Sequence, residues 1–368
     1  MKTKKIIISG GGTGGHVFPA IAIANALKEK DPSVEILFVG ANGKIEMEKV
    51  PEAGYQIKGL PVRGFLRKLS LKNFVVVFNL LKSLFISYKI IKTFKPDIVV
   101  GVGGFASGPV VYIASLFGVP ALLQEQNSYA GITNKLLAKR AKKICVAYDN
   151  MHRYFPESKI IKTGNPVRQT LFNNKFEKEL AINYFGLDKG KKTILILGGS
   201  GGARSINEAV INKLKELKVS DIQVVWQTGK FYNKTSNEAA TKMEMKNCFV
   251  KDFIIRMDYA YRAADIVISR AGAATISELC LLGIPAVLVP SPNVAEDHQT
   301  KNAMALVEKN AAILIRDKEA KENMIEEALN LIHNADKLKE LGQNCSKLGI
   351  ENSDKIIAEE ILNIVSLT

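Results

Sequence analysis

Cysteine is scarce and scattered in this chain. Its four cysteines, Cys145, Cys248, Cys280 and Cys345, form no CxxC pair in 368 residues. That excludes a disulfide framework and a thiolate zinc site, and fits reduced thiols in the cytoplasm. Histidine is equally thin: His16, His152, His298 and His333 stand far apart. No DxD-like pair appears in a plausible site, so neither a metal nor a cofactor is expected. His152 and His333 read as ordinary surface residues. No apolar run approaches the ~20 residues needed to cross a bilayer. The start, MKTKKIIISGGG, passes straight from lysines to a short strand and glycines. It lacks the apolar core of a signal peptide, so no secretory leader is expected. Acidic residues are missing from 53–96, a stretch that holds nine Lys and Arg.

What is present is globular: 47% hydrophobic and 24% charged residues. The length suggests two domains. The net charge of +15 is uneven, because residues 1–164 hold 24 basic against 10 acidic side chains while the remainder is nearly neutral. A basic first half points to an anionic partner: a nucleic acid, an anionic membrane surface or a phosphorylated substrate. A merely soluble basic surface is the plain alternative.

Short β-branched runs alternate with helix-patterned stretches throughout. KKIIIS, VEILFVG, DIVVGVG, PALLQEQ and KKICVA read as buried strands, followed by TILILGG, IQVVWQTG, CFVKDFI, DIVISRAG and PAVLVPS. Helical pattern falls at 19–30, 109–117, 131–140, 205–217, 275–283, 320–332 and 353–367. This alternation predicts α/β architecture: two Rossmann-like, doubly wound domains facing across a cleft, with ligands at the carboxyl ends of the strands. Each half opens on a strand, a glycine-rich turn and a helix. The turn tripeptide Gly164-Asn165-Pro166 marks the boundary. The expected domains are 1–164 and 165–352, with a C-terminal helix at 353–368 packing back on the first.

Three turns carry the chemistry. Gly10 to Gly15 satisfies GxGxxG, which lets a backbone approach a phosphate and aims amides at it from a helix N-terminus. The second strand ends without the acidic residue of a dinucleotide site. The second turn, Gly198 to Ala203, does not fit GxGxxG, and neither turn ends like a P-loop. Either turn can also serve only to tighten strand-to-helix packing. The third, Ser269 to Glu278, leaves a helix N-terminus open to an anion, with Thr275 as N-cap. Glu278 then falls in the first turn, as an acceptor for a ribose diol or as a capping-box carboxylate.

The motifs GGGTGGHVFPA, GVGGFASGP, QEQNSYAGITNK, GNPVR, GGSGGARSIN, RAGAATISE and DHQTKNA follow one another from residue 10 to residue 303. Together they resemble the bacterial N-acetylglucosaminyltransferases of peptidoglycan synthesis, in the GT-B superfamily. The resemblance implies transfer of N-acetylglucosamine (GlcNAc) from UDP-GlcNAc to the 4-hydroxyl of N-acetylmuramic acid (MurNAc) in undecaprenyl-diphosphate-MurNAc-pentapeptide. The anomeric centre inverts to a β-1,4 link, and lipid II and UDP are released for cell wall biogenesis. The first domain would hold acceptor and membrane, the second the donor. The enzyme would be peripheral on the cytoplasmic face of the bacterial inner membrane, near other cell-wall synthesis proteins. By resemblance the donor contacts fall on Thr13, Gly14 and Gly15, then Asn127, Arg168 and Ser200. Ile254 would touch the uracil, Ala273, Ala274, Thr275, Ile276, Ser277 and Glu278 the sugar, ribose and diphosphate, and Gln299 the sugar hydroxyls. Phe105 stands where many of these enzymes carry tyrosine, so no hydroxyl contact is expected there.

Inversion by direct displacement needs one general base and no covalent nucleophile. His16, in the first turn just before a helix starting near Pro19, is the candidate. A helix N-terminus keeps its imidazole neutral and able to accept a proton. The alternatives are a hydrogen bond to phosphate or a role in fixing the loop. Glu125 is a candidate to polarise it, and Asn127 to orient substrate. Arg168 and the amides of the second and third turns would offset charge on the leaving UDP.

The basic stretch 53–96 also carries Phe65, Leu66, Leu69, Phe74, Val75, Val76, Val77, Phe78, Leu80, Leu81, Leu84 and Phe85. Apolar anchors beside lysines suit an interface with anionic lipid. A buried helix over the sheet is the alternative, and different faces can do both. Nucleic acid is not expected, because the aromatics do not alternate with the basic residues. Two other functions compete with the transferase: an epimerase on the same scaffold and a non-catalytic sugar-nucleotide-binding subunit. The epimerase would need more acid–base side chains than His16 supplies. The subunit reading sits poorly with both halves and His16 in one chain.

Overall fold

The computed structural model describes residues 3–62, 72–167, 171, 177–199 and 201–367, the side chains of 72–74 and 295 excepted. The chain divides into two compact units, 1–167 with 350–368, and 168–349.

Among the described residues, the first unit is built on seven strands: β1 (Lys5–Ser9), β2 (Glu35–Ala41), β3 (Gln56–Leu60), β4 (Ile98–Gly101), β5 (Ala121–Glu125), β6 (Lys143–Val146) and β7 (Ile160–Lys162). They lie in the order β3-β2-β1-β4-β5-β6-β7, every pairing parallel. Helices α1 (Gly14–Lys30), α2 (Glu46–Glu52), α3 (Lys72–Phe94), α4 (Ser107–Leu116) and α5 (Ile132–Leu137) connect them. Strands covered on both faces need apolar residues at every position, which is why they read as continuous Ile/Val/Leu runs. Ile6 and Ile8 face one core with Ile23, Leu27, Val100 and Leu122. Ile7 faces the other with Leu37, Val99 and Leu123.

The second unit holds β8 (Thr193–Leu197), β9 (Gln223–Gln227), β10 (Cys248–Lys251), β11 (Ile266–Ser269), β12 (Ala286–Leu288) and β13 (Ile313–Leu314). Their order is β10-β9-β8-β11-β12-β13, again parallel throughout. Its helices are α6 (Lys178–Tyr184), α7 (Arg204–Asn212), α8 (Leu214–Val219), α9 (Asn233–Lys242), α10 (Met257–Ala263), α11 (Ala273–Leu282), α12 (His298–Val307), α13 (Ala320–His333) and α14 (Ala335–Ser346). Helix α15 (Ser353–Ser366) belongs to the first unit, where Ile357 and Ile361 join the core beside α1.

Two helix expectations change. The stretch 205–217 is two helices, broken at Lys213, whose φ of −114° leaves the helical region. Helix α1 begins at Gly14, five residues before Pro19, which lies inside it. Pro19 lacks the N–H that would bond the Gly15 carbonyl, and a glycine at 15 eases the clash with its ring.

Both sheets have a topological switch point. The strand order reverses between β1 and β4 in the first and between β8 and β11 in the second. Ligand crevices form at the carboxyl ends of strands at such points.

Candidate active site

In the first unit, the loops after β1 and β4 meet at the switch point. Gly11 N–H donates to the Gly103 carbonyl at 3.3 Å, joining the two turns. His16 is therefore the third residue of α1 rather than a residue ahead of it. Its Nδ1 lies 3.1 Å from Thr13 Oγ1, and the Thr13 carbonyl takes its backbone N–H. The other edge of the ring rests on Gly103. A Cβ there would come within 2.8 Å of His16 Cδ2 and 2.9 Å of Nε2, and the φ of +90° also favours glycine. Thr13 thus sets the ring from one side and Gly103 from the other.

The first glycine turn is not an open phosphate cradle. The buried carboxylate of Glu46, on α2, accepts Gly12 N–H at 2.8 Å and Ala41 N–H at 2.9 Å. A side chain at Gly11 would run into that carboxylate. These glycines accommodate Glu46 as well as any ligand. Nothing in the spacing of the sequence announced it.

Glu125 does not polarise His16. Its Oε1 accepts Asn127 N–H at 3.1 Å and Asn127 Nδ2 at 3.3 Å, while Oε2 accepts Gly131 N–H and Asn134 Nδ2, each at 2.9 Å. Burial pushes its pKa up, and these hydrogen bonds pull the other way. Glu125 organises the loop that presents Asn127. Gln126 Nε2 reaches the Val102 carbonyl at 2.8 Å and ties this loop to the one after β4.

In the second unit, the turn after β8 leads into α7, the turn after β11 into α11, and the loop after β12 into α12. Helix α11 is capped by Gly272, not by Thr275, which is its third residue. Glu278 is the sixth, outside the first turn, and so does not hold the third position of a capping box. Its buried Oε2 instead accepts the Tyr261 hydroxyl of α10 at 2.8 Å. Tyr261 was not visible as a partner in the sequence.

A pocket of about 580 Å³ lies among Gly202, Ser205, Arg270, Ser291, Gln299 and Asp317. Arg270 is fixed in its wall. Nη1 donates to Asp317 Oδ1 at 2.5 Å and to the Val289 carbonyl at 3.0 Å, and Nη2 donates to Ser205 Oγ at 3.0 Å. Gln299 Oε1 accepts Ser291 N–H at 2.8 Å. Ile254 has a buried side chain, and its N–H donates to Gln227 Oε1 at 2.9 Å. Thr13, Gly14, Gly15, His16 and Asn127 thus belong to the first unit. Ile254, residues 273–278 and Gln299 belong to the second. Arg168 and Ser200 lie outside the described residues, as do Phe65, Leu66 and Leu69.

Helix α3 has one face buried against the first unit and another exposed. Val76, Ile90 and Ile91 are buried, whereas Val75, Val77, Phe78, Leu81 and Phe85 stand exposed. Among the described residues, no helix is long and apolar enough to cross a membrane.

Residues 6–146 match the glycosyltransferase family 28 N-terminal domain, and residues 193–360 match its C-terminal domain. The chain is 58% identical over 361 residues to a protein of Phocaeicola vulgatus, covering 98% of this chain and 96% of the relative. A Flavobacterium psychrophilum relative is 50% identical, with 99% of each covered. Both are named UDP-N-acetylglucosamine–N-acetylmuramyl-(pentapeptide) pyrophosphoryl-undecaprenol N-acetylglucosamine transferase. Among solved structures, Acinetobacter baumannii MurG superposes with a TM-score of 0.80 at 29% identity, covering 98% of this chain and 99% of that one. A UDP-N-acetylglucosamine 2-epimerase superposes with a TM-score of 0.65 at 15% identity, covering 100% and 98%, a likeness of fold alone.

Proposed function

The chain belongs to glycosyltransferase family 28, and on that premise we propose that it transfers GlcNAc from UDP-GlcNAc to the 4-hydroxyl of MurNAc in undecaprenyl-diphosphate-MurNAc-pentapeptide. What carries the reading is the 58% identity over nearly the whole chain to a relative named for this transfer. The acceptor binds the first unit and the donor mainly the second.

The acceptor oxygen attacks the anomeric carbon as the bond from that carbon to the diphosphate oxygen breaks, so the centre inverts. The hydroxyl proton passes to His16 Nε2. In the tautomer whose Nδ1–H donates to Thr13 Oγ1, the lone pair sits on Nε2, the nitrogen beside Gly103. The position in the first turn of α1 disfavours an imidazolium before the reaction and keeps the base ready. Asn127, held by Glu125, orients substrate.

The departing UDP gains negative charge. Arg270 stands ready in the pocket wall, already oriented by Asp317 and Ser205, so little reorganisation accompanies charge development. Arg168, Ser200 and the amides at the start of α11 act on the same charge. Glu278, steadied by Tyr261, accepts from the ribose. Gln299 meets the sugar hydroxyls, and Ile254 meets the uracil through its main chain.

The protein works as a peripheral enzyme on the cytoplasmic face of the inner membrane, beside other cell-wall synthesis proteins. The outward row of α3 enters the interface, and the lysines nearby meet anionic headgroups. Lys89, stacked 4.6 Å from the Phe85 ring, pairs a cation with an apolar anchor in the way such an interface requires.

The transfer itself tests this reading. Protein incubated with UDP-GlcNAc and a short-chain lipid-linked muramyl acceptor should release UDP in step with lipid-linked disaccharide. Donor binding without disaccharide, in the presence of a competent acceptor, would end it.

A further inference from the structure

Helix α3 carries two apolar rows with different surroundings. Val75, Phe78, Leu81 and Phe85 point outward and are 53–66% exposed. Leu80 and Leu84 turn instead toward α4 and α5. With Phe105, Tyr112, Ile132 and Leu136 they line a groove of about 560 Å³. That volume falls within the range of ligand sites, roughly 300–1,000 Å³. Among the described residues, no Asp or Glu lines it. Phe105, Ile132 and Leu136 are 55%, 61% and 75% exposed, a concave apolar surface that water covers poorly.

The groove starts close to the candidate active site. Phe105 lies two residues beyond Gly103, on which the His16 ring rests. Two residues span at most about 7 Å. At the rim, the Arg140 guanidinium stacks 4.6 Å from the Tyr112 ring and donates to Ser115 Oγ at 3.1 Å. The groove therefore has an apolar floor, a cation at its edge and, in Phe105, a wall two residues from the seat of His16.

We propose that this groove holds the first isoprene units of the acceptor's polyprenyl chain. The inference rests on the reading of the chain as a transferase with a polyprenyl-linked acceptor. In that acceptor, the 4-hydroxyl and the diphosphate leave opposite sides of one sugar ring. A hydroxyl at His16 sets the chain off by the width of that ring and two phosphates, a span that lets it enter the groove past Phe105. An acyl chain of bulk phospholipid would instead bring its own headgroup to the mouth of the groove, where the acceptor sugar must lie. The groove is thus a substrate subsite, distinct from the outward row of α3 that meets the bilayer.

The test uses the whole protein in detergent with UDP-GlcNAc and two acceptors. These share the muramyl-peptide diphosphate but carry either several isoprene units or a short saturated chain. Wild type should show the lower KM for the isoprenoid acceptor. Leu136→Trp, which fills the groove from an exposed position, should bring the ratio of the two KM values close to unity. Phe105→Ala should do the same by removing a wall instead of crowding the space. Phe78→Ser with Leu81→Ser should lower sedimentation with anionic phospholipid vesicles and keep the wild-type ratio. Equal KM values in wild type, or an unchanged ratio in both groove variants, would overturn the proposal. So would loss of vesicle binding in Leu136→Trp with its chain preference retained, which assigns the groove to bulk lipid. Transfer to neither acceptor by wild type would overturn the transferase reading itself, and this subsite with it.

Discussion

The carboxylate of Glu46 accepts the backbone N–H of Gly12 at 2.8 Å, across 34 residues of sequence. The glycine turn that leads to His16 is therefore braced from beneath by a buried acid. Its second oxygen takes the Ala41 amide, so both oxygens serve as acceptors. In Glu46→Gln, one amide faces an NH₂ group and loses its partner. An unsatisfied buried donor costs about 1–3 kcal/mol. Thermal unfolding should show a loss of this size, with turnover falling because the base moves with the turn. A melting curve and a rate matching wild type would contradict the brace.

Gly103→Ala tests the seat of the imidazole. The new Cβ has no room beside His16 Cδ2 and Nε2, and the backbone at +90° resists a side chain. Displacing a reacting group by about 1 Å can cost on the order of 10²-fold in rate. Steady-state kinetics should show a fall of that order in kcat. Calorimetry with UDP-GlcNAc should show a much smaller loss of donor affinity, since most donor contacts lie in the other unit. Equal loss in both would point to general unfolding instead.

Glu125 supplies a pH signature. Burial raises its pKa above the ordinary 4.5, so the folded chain holds this proton more tightly than the unfolded chain does. Its contribution to stability is full below the unfolded value and falls as pH rises through the folded one. Glu125→Gln removes that titration and leaves one of the Asn127 and Gly131 amides without its acceptor. Melting temperatures of the two proteins should be closest in acid, where Glu125 is protonated like its neutral isostere, and wild type should lose stability relative to the variant as pH rises. A constant gap would contradict the assignment.

The thiols should be inert. Cys145, Cys280 and Cys345 are buried, and burial pushes the Cys145 pKa up to about 12. The thiolate is the reactive form, so native protein should resist alkylation at these positions. Mass spectrometry after iodoacetamide should find them unmodified, and all four cysteines alkylated once denaturant is added. Rapid native labelling of Cys145 would contradict this.

These contacts also mark how far the sequence was legible. The ten strands read as Ile/Val/Leu runs are all present, because a parallel sheet covered on both faces demands that pattern. The strands that escaped, β3, β7 and β13, are short and only partly buried, and β3 alternates Lys58 and Gln56 with apolar residues. Helix α1 starts earlier than its pattern suggests because glycines and Pro19 read as helix breakers, whereas Pro19, its sixth residue, gives up only the bond to the Gly15 carbonyl. The cap of α11 fell on Gly272 because its backbone already has the extended geometry a cap needs. His16 was legible as a candidate. Its supports were not, since Gly103 and Glu46 meet the first turn only through the neighbouring positions of β4, β1 and β2 in the sheet. Tyr261 reaches Glu278 in the same way, from a separate helix.

His16 is the group that takes the acceptor proton, and one comparison tests this most directly. Turnover and UDP-GlcNAc affinity are measured on the same preparation of His16→Ala. Loss of a general base typically costs about 10²–10⁴-fold, so kcat should fall by that factor while the donor binds as in wild type. Turnover that stays at the wild-type rate would contradict the account.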